Sequence, residues 1–194
     1  WARMTRWDRL KYKAVRHPLM IILGYLTVFA YGMCVSSFLR DPKRHWTSMV
    51  VLSAHIGLSY TLVSFAGWSV YLFALLIPVM IATGLGSYLF YAQHNFPEAE
   101  IKPRRQWSYD HAALHASSFM EMSPLMHWFT GNIGYHHIHH LNPSVPFYRL
   151  PEAMAALPEL QTPPTTSLAP REIVRCLRLK LWDPERGQLV GYPK

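Results

Sequence analysis

The sequence predicts an all-α protein in which one or more integral membrane helical hairpins carry a cytoplasmic helical cap with a histidine cluster. Three observations predict it. The 48 positions from Trp46 to Gln93 and the 22 from Pro18 to Leu39 contain no Asp, Glu, Lys or Arg. The 19 Lys and Arg and 11 Asp and Glu are therefore crowded into what remains. Residues 132–141 then read NIGYHHIHHL, with histidine at 136, 137, 139 and 140. A bilayer core about 30 Å thick takes roughly 20 apolar residues per helix. The longer uncharged stretch is long enough for two passes and the shorter for one.

Length alone, 194 residues, would suit one ordinary soluble domain, but this distribution of charge does not. Cys34 and Cys176 are far apart, one in an apolar and one in a basic setting, and form no disulfide framework. No stretch has the tripartite pattern of a signal peptide, and the chain opens on Trp1, which is the expectation for a piece of a longer protein.

Residues 1–17 are expected to be a basic cytoplasmic interfacial segment: Arg3, Arg6, Arg9, Lys11, Lys13 and Arg16 face Asp8 alone, with Trp1, Trp7 and Tyr12 between them. A nucleic-acid patch is the alternative, and the apolar run that follows argues against it. Residues 47–91 form the predicted transmembrane hairpin, with helices near 47–66 and 68–91 and a turn at Gly67 and Trp68. Lys and Arg stand on both sides of it (Arg40, Lys43, Arg44; then Lys102, Arg104, Arg105) and none at its tip, which orients both ends to the cytoplasm. Parity then makes 18–39 an in-plane or re-entrant helix; a single crossing would put the basic N-terminal segment outside.

Residues 92–150 are the expected cytoplasmic histidine region. SYDHAALHASSFMEM (108–122) has a helical pattern, and SPLMHWFTGN (123–132) places Ser123 as cap before Pro124. Residues 151–194 form a proline-broken cytoplasmic tail with a basic amphipathic helix over 170–182. Its Ile173, Val174, Leu177 and Leu181 oppose Arg171, Arg175 and Arg178.

In a helix, His136, His139 and His140 share one face while His137 is turned about 100° from His136. Neutral imidazole suits iron, zinc, copper or nickel, and ligand type alone does not choose among them. There is no H-E-x-x-H and no cysteine pair, so zinc hydrolysis and a structural zinc site are poorly supported. His94 lies just past the predicted hairpin, on the same side as 136–140, and joins them as a candidate ligand. His137 and Asn132 are candidates for a supporting role. His55 is an ionisable group inside a predicted span. His17 and His45 flank apolar segments, and His111, His115 and His127 belong to no recognisable pattern.

FYAQHNF (90–96), GNIGYHHIHHLNPSVPFYRL (131–150) and LRLKLWDPERGQLVGY (177–192) resemble the C-terminal half of the membrane-bound fatty acid desaturases, in particular the bacterial acyl-lipid type. The resemblance implies a cytoplasmic non-haem di-iron site held by three histidine boxes, with dioxygen as co-substrate. His136, His139 and His140 match the third box and His94 the extra histidine after the last membrane helix, so these four are the implied iron ligands. The first two boxes are expected ahead of residue 1, in a missing N-terminal half, which leaves the site incomplete in this chain. The implied partners are a membrane lipid or fatty acyl substrate and a ferredoxin or b-type cytochrome as electron donor, with no nucleic acid. The implied place is a multi-pass membrane protein of lipid metabolism. Hydrogen removal from an unactivated methylene is beyond acid–base side chains and belongs to a metal cofactor with oxygen. The alternatives are a hydroxylase or ketolase of alkanes, sterols or carotenoids, a membrane metal-binding or transport protein, and an inert incomplete relative. A transporter would place polar ligands within its spans. Here only His55 lies there.

Overall fold

A computed structural model describes residues 1–193, and its contacts divide the chain into two units, Trp1–Leu89 and Phe90 onward. In the first unit α1 (Arg6–Val15) begins at a capping box, in which Thr5 accepts from the Asp8 N–H and the Asp8 carboxylate accepts in return. Trp7 and Leu10 on this helix are exposed. His17 caps α2 (Pro18–Ile22), its Nδ1 accepting the Leu19 N–H at 3.1 Å. The chain continues as a wider π-helical segment, Tyr25–Ser36, and as α3 (Ser37–Arg40).

The Asp41 carboxylate caps α4 (Pro42–Tyr71), which therefore starts before the predicted residue 47. A π-helical turn, Leu72–Leu76, leads into α5 (Ile77–Ala92). Together, Pro42–Ala92 is the one run among the described residues long and apolar enough to cross a membrane by length and composition. It is interrupted where the sequence places its turn: Gly67 has φ 84° and ψ 170°, a region open essentially to glycine alone. A β-carbon there would meet no neighbour, so the demand on this position comes from the backbone. Gly24 answers to a different demand. A β-carbon at Gly24 would stand 2.2 Å from Ser87 Oγ and 2.5 Å from the Thr83 carbonyl oxygen, so the start of the π segment lies directly against α5. Small residues at such a crossing let two helix backbones approach closely.

The chain is mostly helical as expected, and among the described residues the second unit adds four short strands to it. The predicted helix over 108–122 stops early: α6 is Tyr109–His115, capped by Ser108, and Phe119–Glu121 is a strand, β1. After it come α7 (Pro124–Phe129), capped by Ser123 as the sequence predicts, α8 (His136–Leu141), α9 (Leu150–Ala156) and strand β2 (Thr165–Ser167). The tail helix is also shorter than predicted. α10 is Pro170–Arg178, and Leu181–Asp183 (β3) pairs antiparallel with Gln188–Val190 (β4). The last turn of the predicted helix, with Leu181, is thus the first strand of a hairpin.

β1 runs parallel to β2, with Met120 opposite Thr166, and on its other edge Phe119 pairs with Tyr135. The Met120 N–H also donates to the Gly134 carbonyl at 2.8 Å. The backbone leading into α8 is thereby fixed. The inner side of α8 rests on a core of Ile138, Leu150 and Leu160, with Leu114, Tyr135, Leu141, Val145, Ala153 and Met154 around it.

Two glycine substitutions test the first unit through its thermal unfolding in detergent, followed by tryptophan fluorescence. Gly67→Ala is expected to lower stability by about 1–3 kcal/mol through backbone strain. Gly24→Leu should lower it more, because the side chain has no space against α5; an unchanged midpoint for Gly24→Leu would refute the close crossing.

Candidate metal centre

Six residues of helix must present some side chains to a core and others to a site. At 100° per residue, His136, His139 and His140 fall within one arc of α8, and His137, Ile138 and Leu141 on the other. The structure uses both arcs. His137 is fully buried, and its Nε2–H donates to the Leu160 carbonyl at 3.2 Å. It is a core histidine with a hydrogen-bond partner, pointing away from its neighbours on the other arc.

On the site arc, His136 and His140 are joined by His94 from the turn that follows α5. Their Nε2 atoms form a triangle: 2.9 Å from His136 to His94, 3.1 Å from His140 to His94 and 3.0 Å from His140 to His136. Hydrogen bonds alone cannot satisfy this arrangement. Each neutral ring nitrogen either donates or accepts, so among three mutually close nitrogens at least one pair is of the same kind. A cation accepting three lone pairs removes the conflict. Two imidazole nitrogens bound at about 2.1 Å and about 90° apart are separated by roughly 3.0 Å, so the triangle fits one metal ion. The His94 ring is prepared for this role: its Nδ1 lies 3.1 Å from the Ala116 carbonyl, and donation there leaves Nε2 as a bare lone pair.

Burial enforces the same protonation state. The basicity of His136 is pushed down to about 3, first by loss of solvation and then by the neighbouring imidazoles of His94 and His140. Burial lowers His140 as well, with His94 and His139 adding to it. Both rings are neutral at pH 7, the form that binds metal.

The other candidate residues are placed differently. His139 is half-buried, its ring 5.9 Å from that of His136 and 5.8 Å from that of His140, and it stands beside the triangle. Asn132 adopts a left-handed conformation (φ 54°), and its amide donates to the Phe147 carbonyl at 3.1 Å. It fixes a turn. His55 lies in the first unit, 2.8 Å from the Tyr25 hydroxyl and edge-on to Phe29. The rings of His111 and His115 on α6 lie 4.3 Å apart and tilted by 31°, with His111 Nε2 3.1 Å from the Glu100 carboxylate. His127 packs against Tyr135, and burial lowers its basicity.

Sequence reasoning missed Gln93 and Asn95, the two amides that flank His94. Both are buried and bonded to distant backbone. The available signal was the tripeptide itself, QHN, two amides at the end of an apolar helix. It also missed Gly134, where a β-carbon would lie 2.6 Å from both the Met120 carbonyl oxygen and His127 Cε1.

A mostly helical protein with an apolar run of membrane-spanning length carries a partly buried triangle of imidazoles that could hold a metal ion, and comparison with known proteins gives its family. The fatty acid desaturase family model matches residues 1–168. A fatty acid desaturase from Bacillus subtilis (strain 168) is 33% identical over 189 residues, covering 97% of this chain and 53% of the relative. The chain belongs to the fatty acid desaturase family. It spans about half the length of the curated relative it matches. No solved structure matches it.

The depressed basicity of His136 makes a pH prediction. The unfolded ring takes up its proton near pH 6.5 and the folded one only near 3, so the unfolded state binds more protons between these values. Stability of the metal-free protein should therefore fall as the pH is lowered from about 6.5 towards 3. Denaturant titrations at pH 7, 5.5 and 4.5 read this directly, and His136→Asn is expected to flatten the slope.

Proposed function

We propose that this chain is the C-terminal half of a membrane-bound fatty acid desaturase that inserts a double bond into an acyl chain, using dioxygen and reducing electrons. The observation that carries this reading is the meeting of His94 with His136 and His140 in a chain of this family. His94, His136 and His140 would hold one non-haem iron. His139, on the same arc of α8 but outside the triangle, would serve a second ion together with ligands from the rest of the protein. When bound, iron supplies the dioxygen chemistry that amino-acid side chains lack. The chain's own contribution is to keep the imidazoles neutral, to orient them and to exclude water from the buried side of α8.

In this reading Pro42–Ala92 turns at Gly67 and crosses the membrane twice as a hairpin, with both ends and the histidine region 92–150 in the cytoplasm. Residues 18–39 lie in the membrane plane or re-enter, 1–17 lie on its surface, and 151–194 form the cytoplasmic tail. The exposed apolar side chains along the run, Val50, Ile56, Phe65, Phe73 and Ile81 among them, support contact with lipid. The substrate would be a membrane lipid or fatty acyl chain, and the electron donor a ferredoxin or b-type cytochrome.

The test is expression of the full-length protein in a host that lacks desaturation, with lipid analysis by mass spectrometry. Products two hydrogens lighter are expected, and products one oxygen heavier would make the protein a hydroxylase instead. His140→Ala and His94→Ala should each lower bound iron and abolish unsaturation. If both kept iron content and unsaturation at the wild-type level, the reading would fail.

A further inference from the structure

His94 differs from the other two members of the triangle in what holds it. His136 and His140 sit on a helix packed against a core, whereas His94 lies beyond Ala92, the last residue of α5, where the backbone tightens into turns. The His94 N–H donates to the Tyr91 carbonyl and the Asn95 N–H to that of Ala92, both at 3.3 Å. These two long bonds are weak constraints on a side chain whose nitrogen meets two others at about 3 Å. Helical geometry alone does not aim this ring.

The neighbouring amides do. Gln93 is fully buried, and its Nε2 donates to the Ile133 carbonyl at 2.7 Å, three residues before His136. The main-chain carbonyl of Gln93 accepts the Ser118 N–H at 3.1 Å, two residues after Ala116, whose carbonyl receives His94 Nδ1, so the side chain contributes the bond to Ile133 and the backbone the bond to Ser118. Gln93 thus joins the His94 turn both to the segment that enters α8 and to the segment that orients the His94 ring. On the other side Asn95, 5% exposed, donates through Nδ2 to the Cys176 carbonyl at 2.8 Å and the Leu179 carbonyl at 3.0 Å. Those carbonyls lie at the C-terminal end of α10, where helix geometry leaves acceptors without partners. Tyr91 reinforces the same contact, its hydroxyl donating to the Leu179 carbonyl at 2.9 Å and lying 3.0 Å from Asn95 Nδ2, so that the two hydrogens of the Asn95 amide are shared among the three acceptors. Buried amides are costly unless bonded, and a buried aliphatic side chain would have served packing alone.

We propose that Gln93 and Asn95 are positioning residues for His94, clamping its turn between the approach to α8 and the end of α10 so that its Nε2 meets those of His136 and His140. The proposal rests on the reading of His94 as a metal ligand. Gln93 sets the distance between the two ligand-bearing segments, and Asn95 stops the turn from rotating away on its free side. The C-terminal tail thereby becomes part of the metal site without contributing a ligand.

Cobalt(II) titration of the purified full chain in detergent, read from the visible absorption of the bound ion, tests this together with thermal unfolding of each variant. Gln93→Met and Asn95→Leu are expected to weaken cobalt binding by about tenfold to a hundredfold, as loss of a ligand's supporting partner does elsewhere, and to alter the absorption bands. Asn95→Ser, which keeps one short donor, should recover part of the affinity; Gln93→Leu and Asn95→Asp stand in if either first variant does not fold. A purely structural role would lower the melting temperature and leave the affinity and bands of the folded protein unchanged, which overturns the proposal. Separately, if His94→Ala bound cobalt as the wild type does, the ligand reading itself would fall. A loss of affinity in His94→Ala with none in the amide variants would leave that reading intact and refute only the clamp.

Discussion

Three ring nitrogens about 3 Å apart cannot all be hydrogen-bonded to one another, and the second unit is built to hold them there nonetheless. Such an arrangement is unfavourable without a cation, because one contact of the three always opposes lone pair to lone pair or proton to proton. The positions of the three rings are set by bracing from outside the triangle. That bracing is what the surrounding elements provide: a core beneath α8, a strand pairing before it, and buried amides beside His94.

The short strands acquire their meaning from this. A three-residue parallel pair such as β1 and β2 adds little stability by itself. Its position matters more, since β1 is bonded on one edge to β2 and on the other to Gly134 and Tyr135, the residues that open α8. The approach to the histidines is thus anchored to a segment that follows them by some thirty residues. The absence of a side chain at Gly134 allows that backbone to lie against Met120 and His127.

Much of this was legible in the sequence, and what was not shares a physical cause. The H-x-x-H-H spacing gave the division of α8, with His137 turned away from the other three, because helical periodicity is local; that His137 enters the core was not legible. Ser123 and Pro124 gave the start of α7, and Gly67 gave the break in the apolar run, for the same reason. The strands were missed because they depend on distant partners: SSFMEM has no turn chemistry that ends a helix, and only pairing with 165–167 and 134–135 makes it extended. Likewise LRLKLW continues an amphipathic helical pattern, yet Leu181–Asp183 pairs with Gln188–Val190 across the tight turn at Gly187. For the site, the histidine pattern named three residues that the structure brings together, His94, His136 and His140, but not that His139 would stand apart from the triangle. Nor did it announce Gln93 and Asn95, whose roles exist only through carbonyls 40 and 81 positions away.

The desolvation of these histidines connects stability to chemistry. Burial that makes imidazolium unfavourable at His136 and His140 also keeps a lone pair available, so that a metal does not compete with a proton at neutral pH. The same burial leaves His136 Nδ1 without a protein partner, an unpaired polar atom in the interior. The structure therefore carries two unfavourable features at one residue, an unbonded nitrogen on one side and a crowded one on the other. A cation at the triangle would be held through the Nε2 lone pairs of His94, His136 and His140, with the proton of a neutral His136 ring left on Nδ1.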